Sequence, residues 1–302
     1  MKKSFFRLTL SFAVIAILIV FAVSPIRFVK MKAGSWMANL PDDRQIRSLS
    51  IPGTHDSGAM YSIADVYGKC QTLSVSGQLA SGVRFLDLRL RLVDDGLYVY
   101  HSFVEQKTEF QRLLHDLAMF LRENPSEFLI VSLKEEEAPI RSEKAFSKAL
   151  EEMLGEYPDV VNAARTLPET VKEARGKMHI LARYEDATLG VPCGRGWKNN
   201  TAFVLNDIFV QDHYELSGMD EKLSDIRLAM EAAADEKHAL TLNFLSAYFA
   251  SDFPPAYAGK PAQTIRAFIL ERIGETEGAL GVMVCDFMSS DLAHAIIGRN
   301  FQ

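Results

Sequence analysis

Ionisable side chains recur where apolar, strand-like runs end. His55 and Asp56 follow Ser48-Leu49-Ser50-Ile51. Asp87 and Arg89 sit two apart in Val83–Leu92, so both point to one face of an extended strand. His101 closes Leu97–Tyr100, Lys134 closes Phe128–Leu133, and Arg183 closes Met178–Ala182. Asp212 and Tyr214 follow Ile208–Gln211, and Asp286 follows Gly281–Cys285. Two histidines can act as base and acid in one displacement, because imidazole titrates near neutral pH. An arginine between them offers a planar fork for phosphate oxygens. Such a set suits an anionic substrate and proton transfer.

These residues need a frame that brings strand ends together. Eight short strands can be counted, several followed by helical patterns such as Ser142–Leu154, Asp220–Ala234 and Pro261–Ile273. Asp94-Asp95-Gly96 has the composition of a hairpin turn, and Thr108 with Gln111 reads as a capping box opening the helix Glu109–Glu123. The pattern predicts an α/β fold, an irregular (β/α)8 TIM barrel in one domain. In such a barrel the C-terminal strand ends converge on one mouth. A doubly wound open sheet is the alternative, and the absence of a glycine-rich phosphate loop after the first strand weighs against it.

The remaining histidines, His115, His179, His213, His238 and His294, are read as structural, and Glu135-Glu136-Glu137 as a solvated loop. Cys285 reads as a buried strand residue. Cys70 and Cys193 fall in loops on the mouth side, where an exported protein permits a disulfide.

The chain has 302 residues, 48% hydrophobic and 24% charged, and a formal net charge of −6. An acidic balance disfavours a nucleic-acid partner. Three cysteines with no Cys-x-x-Cys pair exclude a dense disulfide scaffold. Lys2, Lys3 and Arg7 precede an uncharged stretch from Leu8 to Ile26, the pattern of an export signal. The stretch is also long enough to span a bilayer, so a cleaved signal and a retained anchor both fit. Residues 1–32 are therefore read as a leader and 33–302 as the catalytic barrel. The barrel is expected outside the cytoplasm, secreted or anchored by the hydrophobic segment.

Ile51-Pro52-Gly53-Thr54-His55-Asp56-Ser57-Gly58 resembles the opening motif of the bacterial phosphatidylinositol-specific phospholipases C. The resemblance continues in order through Gly82–Arg89, Asn124–Glu127 with Val131–Lys134, Ala174–Lys177 with Arg183-Tyr184, Val210–Tyr214 and Cys285–Phe287. It runs from about Trp36 to the end of the chain. It implies a distorted (β/α)8 barrel and metal-independent cleavage of phosphatidylinositol to diacylglycerol and inositol 1,2-cyclic phosphate. By motif, His55 is the general base on the inositol 2-hydroxyl, and Asp286 orients it. His101 is the acid for the departing diacylglycerol oxygen. Arg89 holds the phosphate, and Asp56 pairs with Arg89 and assists the acid. Lys134, Arg183 and Asp212 match residues that bind inositol hydroxyls, and Tyr214 matches one that stacks on the ring.

The resemblance also implies no cofactor. Arg89 stands where the calcium-dependent eukaryotic relatives carry acidic ligands, so no metal is expected. Ser102-Phe103 replace a glycine that usually follows the second histidine. Clear counterparts of the family's interfacial tryptophans are missing. Tyr67 and the segment 249–257 offer an aromatic rim instead. The expected partner is a phosphatidylinositol-containing membrane surface, met by a monomer. Two other readings remain: a related barrel phosphodiesterase acting on another phospholipid or on glycosyl-phosphatidylinositol anchors, and a non-catalytic inositol-lipid-binding barrel.

Overall fold

A computed structural model describes residues 33–63, 67–251 and 258–302. The leader expected over residues 1–32 lies outside the described residues, as does most of the aromatic segment, residues 252–257. No helix among the described residues is long and apolar enough to cross a membrane.

The first half of the chain runs β1 (Ser50–Thr54), α1 (Val75–Ala80), β2 (Phe85–Val93), β3 (Gly96–His101), β4 (Val104–Glu109), α2 (Phe110–Glu123), β5 (Leu129–Glu135) and α3 (Phe146–Leu154). After β6 (Val161–Asn162) and α4 (Val171–Ala174) come β7 (Met178–Arg183), β8 (Val191–Pro192), β9 (Thr201–Leu205), β10 (Ile208–Asp212) and β11 (Glu215–Leu216). The remainder is α5 (Met219–Ala234), β12 (Leu240–Phe244), β13 (Tyr248–Phe249), α6 (Gly259–Arg272), β14 (Gly281–Cys285) and α7 (Ser290–Gly298).

Among the described residues, seven parallel strands of five or more residues make the curved wall, in the order β7-β5-β2-β1-β14-β12-β10. Leu86, Leu88, Leu90, Val131, Leu133, Ile180 and Ala182 point outward into the apolar layer beneath the helices. Alternation then turns Asp87, Arg89, Ser132, Lys134 and Arg183 to the other face. The expected irregular α/β barrel is the fold observed.

The irregularity has two sources. The strand at Leu97–Tyr100 is not a parallel stave. It returns antiparallel on β2 through Asp94 and Asp95, both at positive φ (48° and 64°), as a two-residue hairpin requires. Leu90 pairs with Val99, so the returning strand carries His101 back toward Arg89. The second source is a seam. Among the described residues no ladder joins β8 to β9. β8 is two residues long and ends in Pro192, which has no N–H to donate. A side chain bridges the gap instead, Asn206 Nδ2 donating to Pro192 O at 2.6 Å. Beyond the seam Gly194 lies so close to β7 that a Cβ would meet Tyr184 O at 2.2 Å. The expected capping box at α2 does not form: Glu109 is the N-cap and makes no side-chain cap bond.

Candidate active site

The strand register fixes the site in two layers. Arg89, Lys134 and Arg183 are paired neighbours across β2, β5 and β7, so three cations lie in one row. Two residues deeper, Asp87 pairs with Ser132. The Asp87 carboxylate accepts from Arg89 Nε and Nη2 (3.2 Å each), from Ser132 Oγ (3.0 Å) and from Arg183 Nη1 (3.2 Å). Burial pushes its pKa up, but the arginines around it outweigh that and hold it well below the ordinary aspartate range. One carboxylate thus ties down two guanidinium groups whose free edges remain at the mouth.

His55 and Asp286 extend the β1–β14 register beyond its last pair, Thr54 with Cys285. His55 Nδ1 lies 2.8 Å from Asp286 Oδ1. Arg89 Nη2 lies 2.6 Å from His55 Nε2. A guanidinium only donates, so Nε2 is the acceptor and the proton sits on Nδ1 toward Asp286. That tautomer puts the basic lone pair on Nε2, where Arg89 Nη2 donates to it. Burial disfavours the imidazolium and Arg89 opposes it, but Asp286 and Asp56 prevail, and the His55 pKa stands above the ordinary value.

Asp56 lies wholly buried behind the cavity wall at a positive φ of 42°. Its Oδ2 is 3.5 Å from Arg89 Nε and 3.7 Å from His101 Nε2, and neither carboxylate oxygen has a hydrogen-bond partner. Burial raises its pKa, against the pull of His101 and Arg89. Arg89 joins the two halves of the site, touching His55 on one side and Asp56 on the other.

A cavity of about 370 Å³ opens over this floor, lined by His55, Arg89, His101, Lys134, Arg183, Asp212, Tyr214 and Asp286 among others. Eight of the nine expected site residues therefore line one cavity, and the ninth, Asp56, stands directly behind it. Arg183 stacks on Trp197 at 3.7 Å, and Trp197 Nε1 donates to Asp212 Oδ2 at 3.3 Å, so the loop beyond the seam braces the far side. A larger cleft of about 500 Å³ lies at the opposite end of the barrel, away from these groups.

Three expectations need correcting or completing. Glu136 is not a solvated loop residue. Its side chain is 5% exposed and lines the cavity, bonding Lys134 Nζ at 2.6 Å and Ser102 N at 2.8 Å. Burial raises its pKa, but Arg89 and Lys134 bring it down to about 2. Its position two residues past Lys134, at the end of β5, is the signal that was available. Cys70, Cys193 and Cys285 are all buried and free, so the disulfide allowed for Cys70 and Cys193 is not formed. Asp87 carries more of the site than its pairing with Arg89 indicated. The histidines set aside stay aside: His213 bonds Asp225 at 2.8 Å, and His179 is buried against Ala174 O at 3.0 Å.

Residues 49–184 match the family model described as phosphatidylinositol-specific phospholipase C, X domain. The match takes in a little under half of the chain and includes the motifs at His55, Arg89, Lys134 and Arg183. A 1-phosphatidylinositol phosphodiesterase of Listeria monocytogenes is 27% identical over 276 residues, covering 88% of this chain and 84% of the relative. One of Staphylococcus aureus is 29% identical, over 70% and 74% of the two chains. The solved Listeria phosphatidylinositol-specific phospholipase C superposes with a TM-score of 0.73 at 25% identity, over 89% of this chain and 99% of that one. A Staphylococcus aureus structure reaches 0.80 at 24% identity, over 89% and 98%, which bears on the fold alone.

Proposed function

We propose that the chain is a metal-independent phosphatidylinositol phosphodiesterase of the phospholipase C type, releasing diacylglycerol and inositol 1,2-cyclic phosphate. One observation carries this reading: Arg89 links a His55–Asp286 pair to an Asp56–His101 pair at the floor of a single cavity.

As Arg89 Nη2 turns from His55 Nε2 to the phosphate, Nε2 takes the proton of the inositol 2-hydroxyl, and Asp286 stabilises the imidazolium that forms. The freed oxygen attacks phosphorus in line. Arg89 holds a non-bridging phosphate oxygen as negative charge grows there. His101, coupled to the buried Asp56, gives a proton to the departing diacylglycerol oxygen. Slow hydrolysis of the cyclic product reverses the two proton transfers. Lys134, Arg183 and Asp212 take the inositol hydroxyls, with Tyr214 against the ring. Asp87 and Glu136 keep the row of cations oriented without joining the chemistry.

Membrane contact in this reading comes from a local rim. Tyr67 stacks on His101 and on Phe103, with ring centroids at 6.3 and 5.3 Å. Met60, Tyr61, Ile63 and Phe103 are exposed around it, and Lys107 sits over Tyr61 at 3.8 Å. The net charge of −6 gives no bulk attraction to anionic lipid. The basic start and uncharged stretch of the leader support a barrel outside the cytoplasm. The test is turnover of phosphatidylinositol vesicles by the purified chain in excess chelator. Sustained diacylglycerol release is expected, and a strict calcium requirement contradicts the reading.

A further inference from the structure

Cys70 plays no part in the proposed reaction, yet it stands between the two acid–base pairs. It is 2% exposed as a residue and lines the cavity, with Sγ 4.0 Å from His101 Nδ1. One ligand atom each from Asp56, Cys70 and His101 lies within 4.8 Å of the others. Asp56 is wholly buried, and both its carboxylate oxygens lack a hydrogen-bond partner. Its Oδ2 stands 3.5 Å from Arg89 Nε and 3.7 Å from His101 Nε2. A second trio, His55, Cys70 and Asp286, is equally compact. It is less available, because Asp286 and Arg89 already engage both ring nitrogens of His55.

We infer that Asp56, Cys70 and His101 form an inhibitory site for a thiophilic divalent cation of the zinc type. Zinc takes sulfur, imidazole nitrogen and carboxylate oxygen together, at about 2.3 Å to sulfur and about 2.0–2.2 Å to nitrogen or oxygen. Tetrahedral ligands at those lengths are about 3.5 Å apart, so the trio closes on the ion with small side-chain shifts. The thiol proton leaves to solvent as the sulfur–zinc bond forms, and water fills the open position. The bound ion occupies His101 and Asp56, so the leaving oxygen loses its proton source. Calcium and magnesium prefer all-oxygen sites and do not fit this set. That the site is inhibitory rests on the reaction proposed above; that it binds metal does not.

The experiment separates the two. Cobalt(II) added to the full-length protein should give a thiolate-to-cobalt charge-transfer band, present in Cys193→Ser and Cys285→Ser and absent in Cys70→Ser. Zinc chloride should inhibit turnover of soluble inositol 1,2-cyclic phosphate, with recovery on chelation. Cys70→Ser should need at least about tenfold more zinc for half-inhibition. Should Cys70→Ser fail to fold by circular dichroism, the native protein decides: zinc inhibits and equal magnesium does not. No thiolate band in native protein, equal zinc sensitivity in folded Cys70→Ser, or equal inhibition by magnesium overturns the site. A cobalt band with no effect of zinc on turnover keeps the binding site and overturns its inhibitory role.

Discussion

At the base of the barrel Arg84 and Glu127 are both completely buried, and their charges are answered on all sides. Arg84 donates to Glu127 Oε2 at 2.9 Å and to the carbonyls of Leu79 and Val83 at 3.0 and 2.7 Å. Glu127 also accepts from Met37 N and Ser126 Oγ. At the mouth the ions are nearly as buried but their polar atoms are left over. Among the described residues, six buried side-chain nitrogen or oxygen atoms lack a hydrogen-bond partner, and five belong to Asp56, Arg183, Ser246 and Asp286. An unmet buried polar atom costs about 1–3 kcal/mol. The base network is built to close, and the mouth network is built to be completed by a ligand.

If that contrast holds, substitutions at the two ends separate activity from stability. His55→Ala should cut turnover of phosphatidylinositol by about 10²–10⁴-fold with the thermal midpoint little changed. Steady-state assay alongside a melting curve checks both halves. Glu127→Ala should do the reverse. It strands Arg84 and should cost about 3–5 kcal/mol in denaturant unfolding, with turnover per folded molecule retained. A large loss of specific activity there would break the division between the ends.

Arg89→Lys keeps the charge but loses the fork that spans His55, Asp87 and Asp56. Its kcat should fall by about 10²–10³-fold. Near-native kcat would show that charge alone suffices. The smallest effect concerns pH. In the proposed reaction neutral His55 is the working form, so activity should rise as pH passes upward through its raised pKa. Asp286 is the chief group holding that pKa up, and Asp286→Asn should move the acid limb of kcat/KM to lower pH. A limb that stays in place would remove Asp286 as its partner.

Strand ends and motif spacing made the cationic row and both histidines readable from the sequence. Period-two alternation dictates which face Asp87 and Arg89 share, and the motif at His55-Asp56 fixes the first strand end. What escaped depended on register and loop closure. Glu136 looks solvated in an acidic run, because only the pairing of β5 with β2 and the return of Ser102 bury it. Trp197 reaches Arg183 across a seam set by Pro192 and Gly194, which no periodicity announces. The hairpin turn at Asp94-Asp95-Gly96, by contrast, was readable, and Leu97–Tyr100 returns antiparallel on β2 as it requires.

The central claim is intramolecular attack by the inositol 2-hydroxyl at a phosphate held by Arg89 between two acid–base pairs. Phosphorus NMR of the products formed from phosphatidylinositol in chelator tests it most directly. The account predicts that a five-membered cyclic inositol phosphate appears first and an acyclic inositol phosphate only later. An acyclic phosphate formed from the outset, with no cyclic resonance at early times, would contradict it.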